Sequence, residues 1–291
     1  MRRLATAALL LLAAALPIRA QELPDAFRLH VDTNFSAHDE ISGLPAEGGT
    51  TRDLSIDTSV SLRLVLGLAG VASDATATHA VVRVEECAGE IETRSPDLQR
   101  RPLGASLSGS AARVQWLADK ELRVEEVTEG TATDGEFALL RTFDPRALAA
   151  VALLAGATLE EGAEWQLPLE EIEKRFGSQG APSGWEEWTV ADKKLDGNAR
   201  MRVVAVDGDL ASIEVRSNIE TTLEVSGRKG TERFQGLMRV QTTLEGTWKV
   251  DRRLRAAVER DDSVRIESSG RVGSFEWKRT STEKTTTRLV R

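Results

Sequence analysis

The sequence predicts a mainly β protein with a minor helical part, in which two related units of long, curved antiparallel strands are joined by a short helical connector. Three observations carry that expectation. Apolar and polar residues alternate over long runs, and helix signals are confined to the middle of the chain. A nine-residue phrase, WLADKELRV at Trp116–Val124, also returns as WKVDRRLRA at Trp248–Ala256, 248 − 116 = 132 positions later. The expected boundaries are a signal peptide at 1–20, a first β-rich unit at 21–143, a connector at 144–184 and a second β-rich unit at 185–291.

The elements follow in order. Arg2 and Arg3 precede an apolar run from Leu4 to Leu16, and a small residue, Ala20, precedes Gln21. That is the pattern of a secretory signal cleaved between Ala20 and Gln21, its apolar run shorter than the ~20 residues of a membrane span. Removing Arg2, Arg3 and Arg19 takes the formal charge from −8 to −11, which argues against nucleic acid or an anionic membrane as partner. No other long apolar segment occurs, so the expectation is a periplasmic or secreted chain with no integral membrane span after cleavage. Cys87 stands alone and forms no internal disulfide.

From Leu54 the apolar residues fall at Leu54, Ile56, Val60, Leu62, Leu64, Leu66 and Leu68, with Ser55, Asp57, Ser59, Ser61 and Arg63 between them. Ala211 to Val225 and Phe234 to Val250 repeat the pattern. Period-two alternation gives strands with one buried and one wet face, and strands of this length must twist. Asp207-Gly208 between two such runs signals a two-residue hairpin loop, and Gly227–Gly230 a looser one.

In the middle, DPRALAAVALLAG has Asp144 as cap, Pro145 in the first turn and Gly156 as terminator. It reads as a core helix in preference to a lid over an apolar ligand. PLEEIEKRFG, from Pro168, sets Leu169, Ile172 and Phe176 on one face. The repeated phrase has collinear support, since Ala80–Val84 matches Ala211–Val215 at an offset of 131. A duplicated sheet corner accounts for both echoes, with Trp116 and Trp248 as core anchors.

The order of these features resembles that of exported bacterial β-rich proteins of unknown function, on the phrases GAEWQLP (Gly162 to Pro168) and GTWKVD (Gly246 to Asp251). In outline, the long curved strands are also similar to periplasmic lipoprotein carriers. Neither resemblance implies catalytic residues.

Motifs for chemistry are sparse. His30, Asp32, His38 and Asp39 match no metal-ligand spacing with a defined geometry, so no metal is expected. Cys87 follows Glu85 and Glu86, which disfavour a thiolate. Ser281-Thr-Glu-Lys284 matches Ser-x-x-Lys but lies in an alternating strand instead of at a helix start. Trp185 and Trp188 form the most ligand-like phrase, GWEEWTV, as stacking platforms or as pins of the connector. The expected function is therefore a non-enzymatic binding or interaction protein of the bacterial cell envelope. The sequence leaves its ligand and partner unknown, with an apolar small molecule and an envelope protein as the candidates, and no cofactor is called for. The alternative is a periplasmic carrier of an apolar, lipid-like ligand, and a motif-free hydrolase ranks last.

Overall fold

In the computed structural model, the alternation becomes twelve strands of one antiparallel sheet. The structure describes residues 26–45, 51–73, 77–117, 122–137, 140, 154, 157–176, 187–229, 232–253, 256–272 and 275–290. In chain order the strands are β1 (Ala26–Pro45), β2 (Thr51–Ser73), β3 (Ala77–Arg94), β4 (Leu98–Leu103), β5 (Ala111–Leu117) and β6 (Leu122–Glu129). After these come β7 (Glu164–Gln166), β8 (Glu187–Asp207), β9 (Leu210–Lys229), β10 (Glu232–Asp251), β11 (Ala256–Val272) and β12 (Phe275–Val290). Two short helices, α1 (Asp134–Phe137) and α2 (Leu169–Phe176), complete the described elements used below.

The expectation of two tandem units joined by a helical connector is corrected here. The sheet runs β6-β5-β3-β2-β1-β12-β11-β10-β9-β8-β7 without interruption, with β4 branching off β3. The reason is the pairing of the first strand with the last, from Arg28 opposite Val290 to Ser42 opposite Glu276. A lone β-unit would leave the N–H and C=O groups of that edge of β1 without strand partners, and β12 satisfies them. The expected connector does not stand apart either. β7, from within it, pairs with β8 at the far edge of the same sheet, and α2 packs against β8. The DPRALAAVALLAG segment lies, apart from Leu154, outside the described residues.

One face of the sheet is apolar and carries the core. On its first half Leu29, Leu64, Leu66, Val82, Val84, Val114 and Trp116 are buried under Leu107, Phe137 and Leu140. On its second half Met201, Ile213, Val215, Leu244, Trp248 and Val250 are buried with Leu154, Leu159 and Ile172 of α2. Each fully buried Leu or Ile contributes about 1.5–3 kcal/mol. A smaller third group, around Leu223, Met238, Val240 and Trp277, lies toward the end of β9, the start of β10 and the start of β12.

Both corner tryptophans are fully buried. Trp116 Nε1 donates to the Leu140 carbonyl at 3.0 Å. Trp248 Nε1 donates to Asp262 Oδ1 at 2.7 Å, and Arg260 Nη2 donates to Asp262 Oδ2 at 2.6 Å. The Arg260 guanidinium lies over the Trp248 ring, 4.3 Å from its centroid. Gly246 makes room for this group, because a Cβ there would sit 2.5 Å from Asp262 Oδ1.

The echo between the corners is local. An offset of 131 would carry Thr78, the partner of Trp116, to position 209, whereas Trp248 sits opposite Ile213. The hairpin between β8 and β9 also shifts by one residue from its expected place. Asp207 pairs with Leu210, so the loop is Gly208-Asp209, and Gly208 supplies the positive φ of +58°.

Ahead of α1, Thr133 and Glu136 form a capping box. The Thr133 amide donates to Glu136 Oε2 at 2.7 Å, and the Glu136 amide reaches back to Thr133 Oγ1 at 3.4 Å. The Ser106 hydroxyl also donates to the Glu136 carboxylate. That bond, and then the two from Thr133, hold the Glu136 carboxyl below its ordinary pKa.

Candidate functional site

The opposite face of the sheet is charged, and its composition follows from the register. Because β1, β12, β11, β10, β9 and β8 are paired in one continuous ladder, side chains fall into rows across the strands. One row reads Asp32, Thr286, Asp261, Thr247, Glu214, Arg202. The next reads Asn34, Lys284, Ser263, Glu245, Arg216, Arg200, and a third Ser36, Thr282, Arg265, Thr243, Asn218, Asn198. Alternation has thus sent polar groups from six strands to one surface.

Three open hollows lie along this face. The first, about 440 Å³, is lined by Ser36, His38, Asp57, Glu92, Arg94 and Thr282 among others. The second, about 550 Å³, spans β1 to β9 and includes Asp32, Lys284, Asp261, Glu245 and Arg216. The third, about 500 Å³, is bounded by Gln166, Asn198, Arg200, Arg216, Asn218 and Thr243. Ser36 and Thr282 sit one row from Asn34 and Lys284 of the second hollow, and the third shares Arg216 and Glu245 with it. Together they form a polar trough running from β3 to β7.

Local pairs fix the side chains of the trough. Arg63 Nε donates to Asp32 Oδ1 at 3.2 Å, and Thr286 Oγ1 donates to Asp261 Oδ1 at 2.7 Å. Gln241 Nε2 donates to Asn218 Oδ1 at 3.2 Å, and Arg200 Nη1 to Glu164 Oε1 at 3.2 Å. Exposed pairs of this kind orient groups more than they stabilise the fold, each worth about 0–1 kcal/mol.

The residues singled out in the sequence are scattered by the structure. His30 and Asp32 project to the charged face, and His38 Nδ1 lies 2.7 Å from Asp57 Oδ1 with Glu40 at 3.4 Å from Nε2. Among the described residues no group of three or more His, Cys, Asp or Glu side chains has a metal-binding arrangement. Ser281 is buried on the apolar face, while Lys284, three residues on, lines the charged trough. The Ser-x-x-Lys pair is therefore split between faces. Cys87 is buried, its amide hydrogen-bonded to Ser108 Oγ at 2.8 Å. Trp188 pairs with Gly227 in the β8–β9 ladder, whereas Trp185, Ala20 and Gln21 lie outside the described residues. Sequence reasoning missed Arg200, Arg216, Asn198 and Asn218. Each belongs to an alternating run, but only strand register shows that they converge.

No protein-family model and no curated protein matches the chain. Solved structures do. One is an outer-membrane channel from Pseudomonas putida F1, at 9% identity over 94% of this chain and 98% of that one, with a TM-score of 0.26. Another is a BenF-like porin from Pseudomonas fluorescens Pf-5, at 8% identity over 92% and 99%, with a TM-score of 0.21. A third is the outer-membrane protease OmpT of Escherichia coli, at 8% identity over 93% and 99%, also with a TM-score of 0.21. The likeness extends to a run of long antiparallel strands and no further.

These matches correct several expectations. The structures found are outer-membrane proteins, so the outline resemblance to periplasmic lipoprotein carriers is withdrawn. The envelope binding or interaction role goes with it, as does its variant, the carrier of a lipid-like ligand. So do the periplasmic or secreted location and the absence of an integral membrane part. That last expectation counted only long apolar runs. Among the described residues no helix is long and apolar enough to cross a membrane, which says nothing of crossing by strands.

Proposed function

We propose a transport role in which small hydrophilic, ionic solutes move along the charged trough. The observation that carries this reading is the placement of three adjoining hollows on one face, lined by polar groups from β3 through to β7. A membrane passage built from strands needs such a face, with apolar side chains on the other. Strands of 16 to 21 residues in β8–β10 and β12 exceed the ~9–11 residues that a tilted spanning strand requires.

The structure also sets two conditions. The apolar face is covered by Leu107, Phe137 and Leu140 on one half and by Leu154, Leu159 and Ile172 on the other, so meeting lipid requires this cover to leave the sheet. Elsewhere on that face, Phe35, Leu54, Ile56, Val60 and Ile91 are only half-buried. A lipid-embedded sheet must also have its edges met, and β6 and β7 end the strand order. Joining those edges turns the trough into a closed passage.

The test is reconstitution of the full chain into liposomes, with single-channel conductance and protease accessibility of residues 157–176 read on the same preparation. Ion conductance together with cleavage of that segment is the expected result. A chain that floats free of vesicles, leaves them tight and keeps the segment protected overturns the reading.

A further inference from the structure

We propose that the hollow bounded by β7 to β10 is an oxyanion site, where Arg200 and Arg216 together grip a carboxylate or phosphate group of the solute. This rests on the transport reading and names the solute class. Arg200 and Arg216 sit directly opposite each other in the β8–β9 ladder. Like charges in that position destabilise a sheet unless something lies between or beside them.

The neighbours balance the charge of the pair but leave most of its donors unused. Arg200 Nη1 donates to Glu164 Oε1, and Arg216 Nη2 lies 3.5 Å from Glu214 Oε2. Each of these contacts occupies one nitrogen of a guanidinium fork that carries five N–H donors. Both side chains are about half exposed, at 48% and 58%, so the remaining donors are reachable from the hollow.

The other lining groups add donors. Asn218 Oδ1 is occupied by Gln241 Nε2, which leaves the Asn218 amide nitrogen to donate. Gln166, Asn198 and Thr243 complete the wall. The hollow has one carboxylate in its lining, Glu245, opposite Arg216 on β10. It lowers the affinity for an anion and keeps the site weak enough to release it. Two forked guanidinium groups suit a planar carboxylate or a tetrahedral phosphate, and both bind through charge-assisted hydrogen bonds.

The experiment titrates the full chain, in solution, with inorganic phosphate followed by ³¹P line broadening and with acetate followed by ¹³C broadening. The tighter probe identifies which oxyanion the site prefers. Arg200→Gln and Arg216→Gln should each weaken binding about tenfold. Arg200→Lys, which keeps the charge but loses the fork, should fall between. Glu245→Gln should tighten binding several-fold, and Arg239→Gln, on the same face but outside the hollow, should leave it unchanged. Equal broadening by the wild type and the Arg200/Arg216 double variant overturns the site, as does an equal loss in Arg239→Gln. Conductance without Arg-dependent anion binding removes the site and leaves the transport reading. Binding that shows these dependences beside tight vesicles removes the transport reading and leaves the site.

Discussion

Asp262 is a carboxylate set among the core residues of an apolar sheet face, and two partners make that tenable. Its two oxygens are taken by Trp248 Nε1 and Arg260 Nη2, and both charged side chains are close to nine-tenths buried, at 7% and 11% exposure. A buried pair of this kind adds little net stability over apolar packing, yet removing one member takes from the other the charge that balances it. Asp262→Ala should therefore cost about 3–5 kcal/mol, read as a fall in the urea midpoint. Trp248 fluorescence should shift in the native state as well, because the indole loses its acceptor. A loss under 1 kcal/mol would mean that Arg260 reaches water or another acceptor without Asp262.

The loop ahead of α1 is held in part by hydrogen bonds to Glu136, and this gives it a pH signature. Its carboxyl is held below the ordinary value in the folded chain. The stability it confers is therefore full above the unfolded carboxylate pKa and lost as pH falls through the lower folded value. Glu136→Gln should lower the urea midpoint at neutral pH, with the gap to wild type closing in acid; a gap that is constant with pH would refute it. The same box stands in the sequence as Thr133-Asp-Gly-Glu136, but a helix of four residues carries no periodicity to mark it. Strand content was plain from Leu54–Leu68 and Ala211–Val225, and α2 from the spacing of Leu169, Ile172 and Phe176. Partner choice between strands was hidden. Nothing local to FRLHVDTNF says that it pairs with TTTRLV at the other end of the chain, and β7 is three residues with no alternation to read. The trough was invisible for the same reason, since Arg200, Arg216 and Asn218 are neighbours only through register.

At the scale of the molecule, two main cores share one sheet, and β1 with β12 is the seam between them. Thr285 lies at the middle of that seam, opposite Thr33 on one side and Asp262 on the other. Thr285→Pro removes a ladder donor from a central strand, where proline is not tolerated. Wild type should unfold in one transition, with near-ultraviolet and far-ultraviolet signals coincident, and the variant in two. A single transition in the variant would show that the halves are coupled elsewhere. The seam also has a timetable. Thr33 and Thr285 touch across a separation of 252 residues, so at ~5–20 residues per second β1 waits roughly 13–50 seconds after synthesis for the strand that completes it. Through that interval a long, partly apolar edge stands open to any other strand. The newborn chain is thus open to aggregation until β12 emerges, and a holding chaperone would matter most in those seconds.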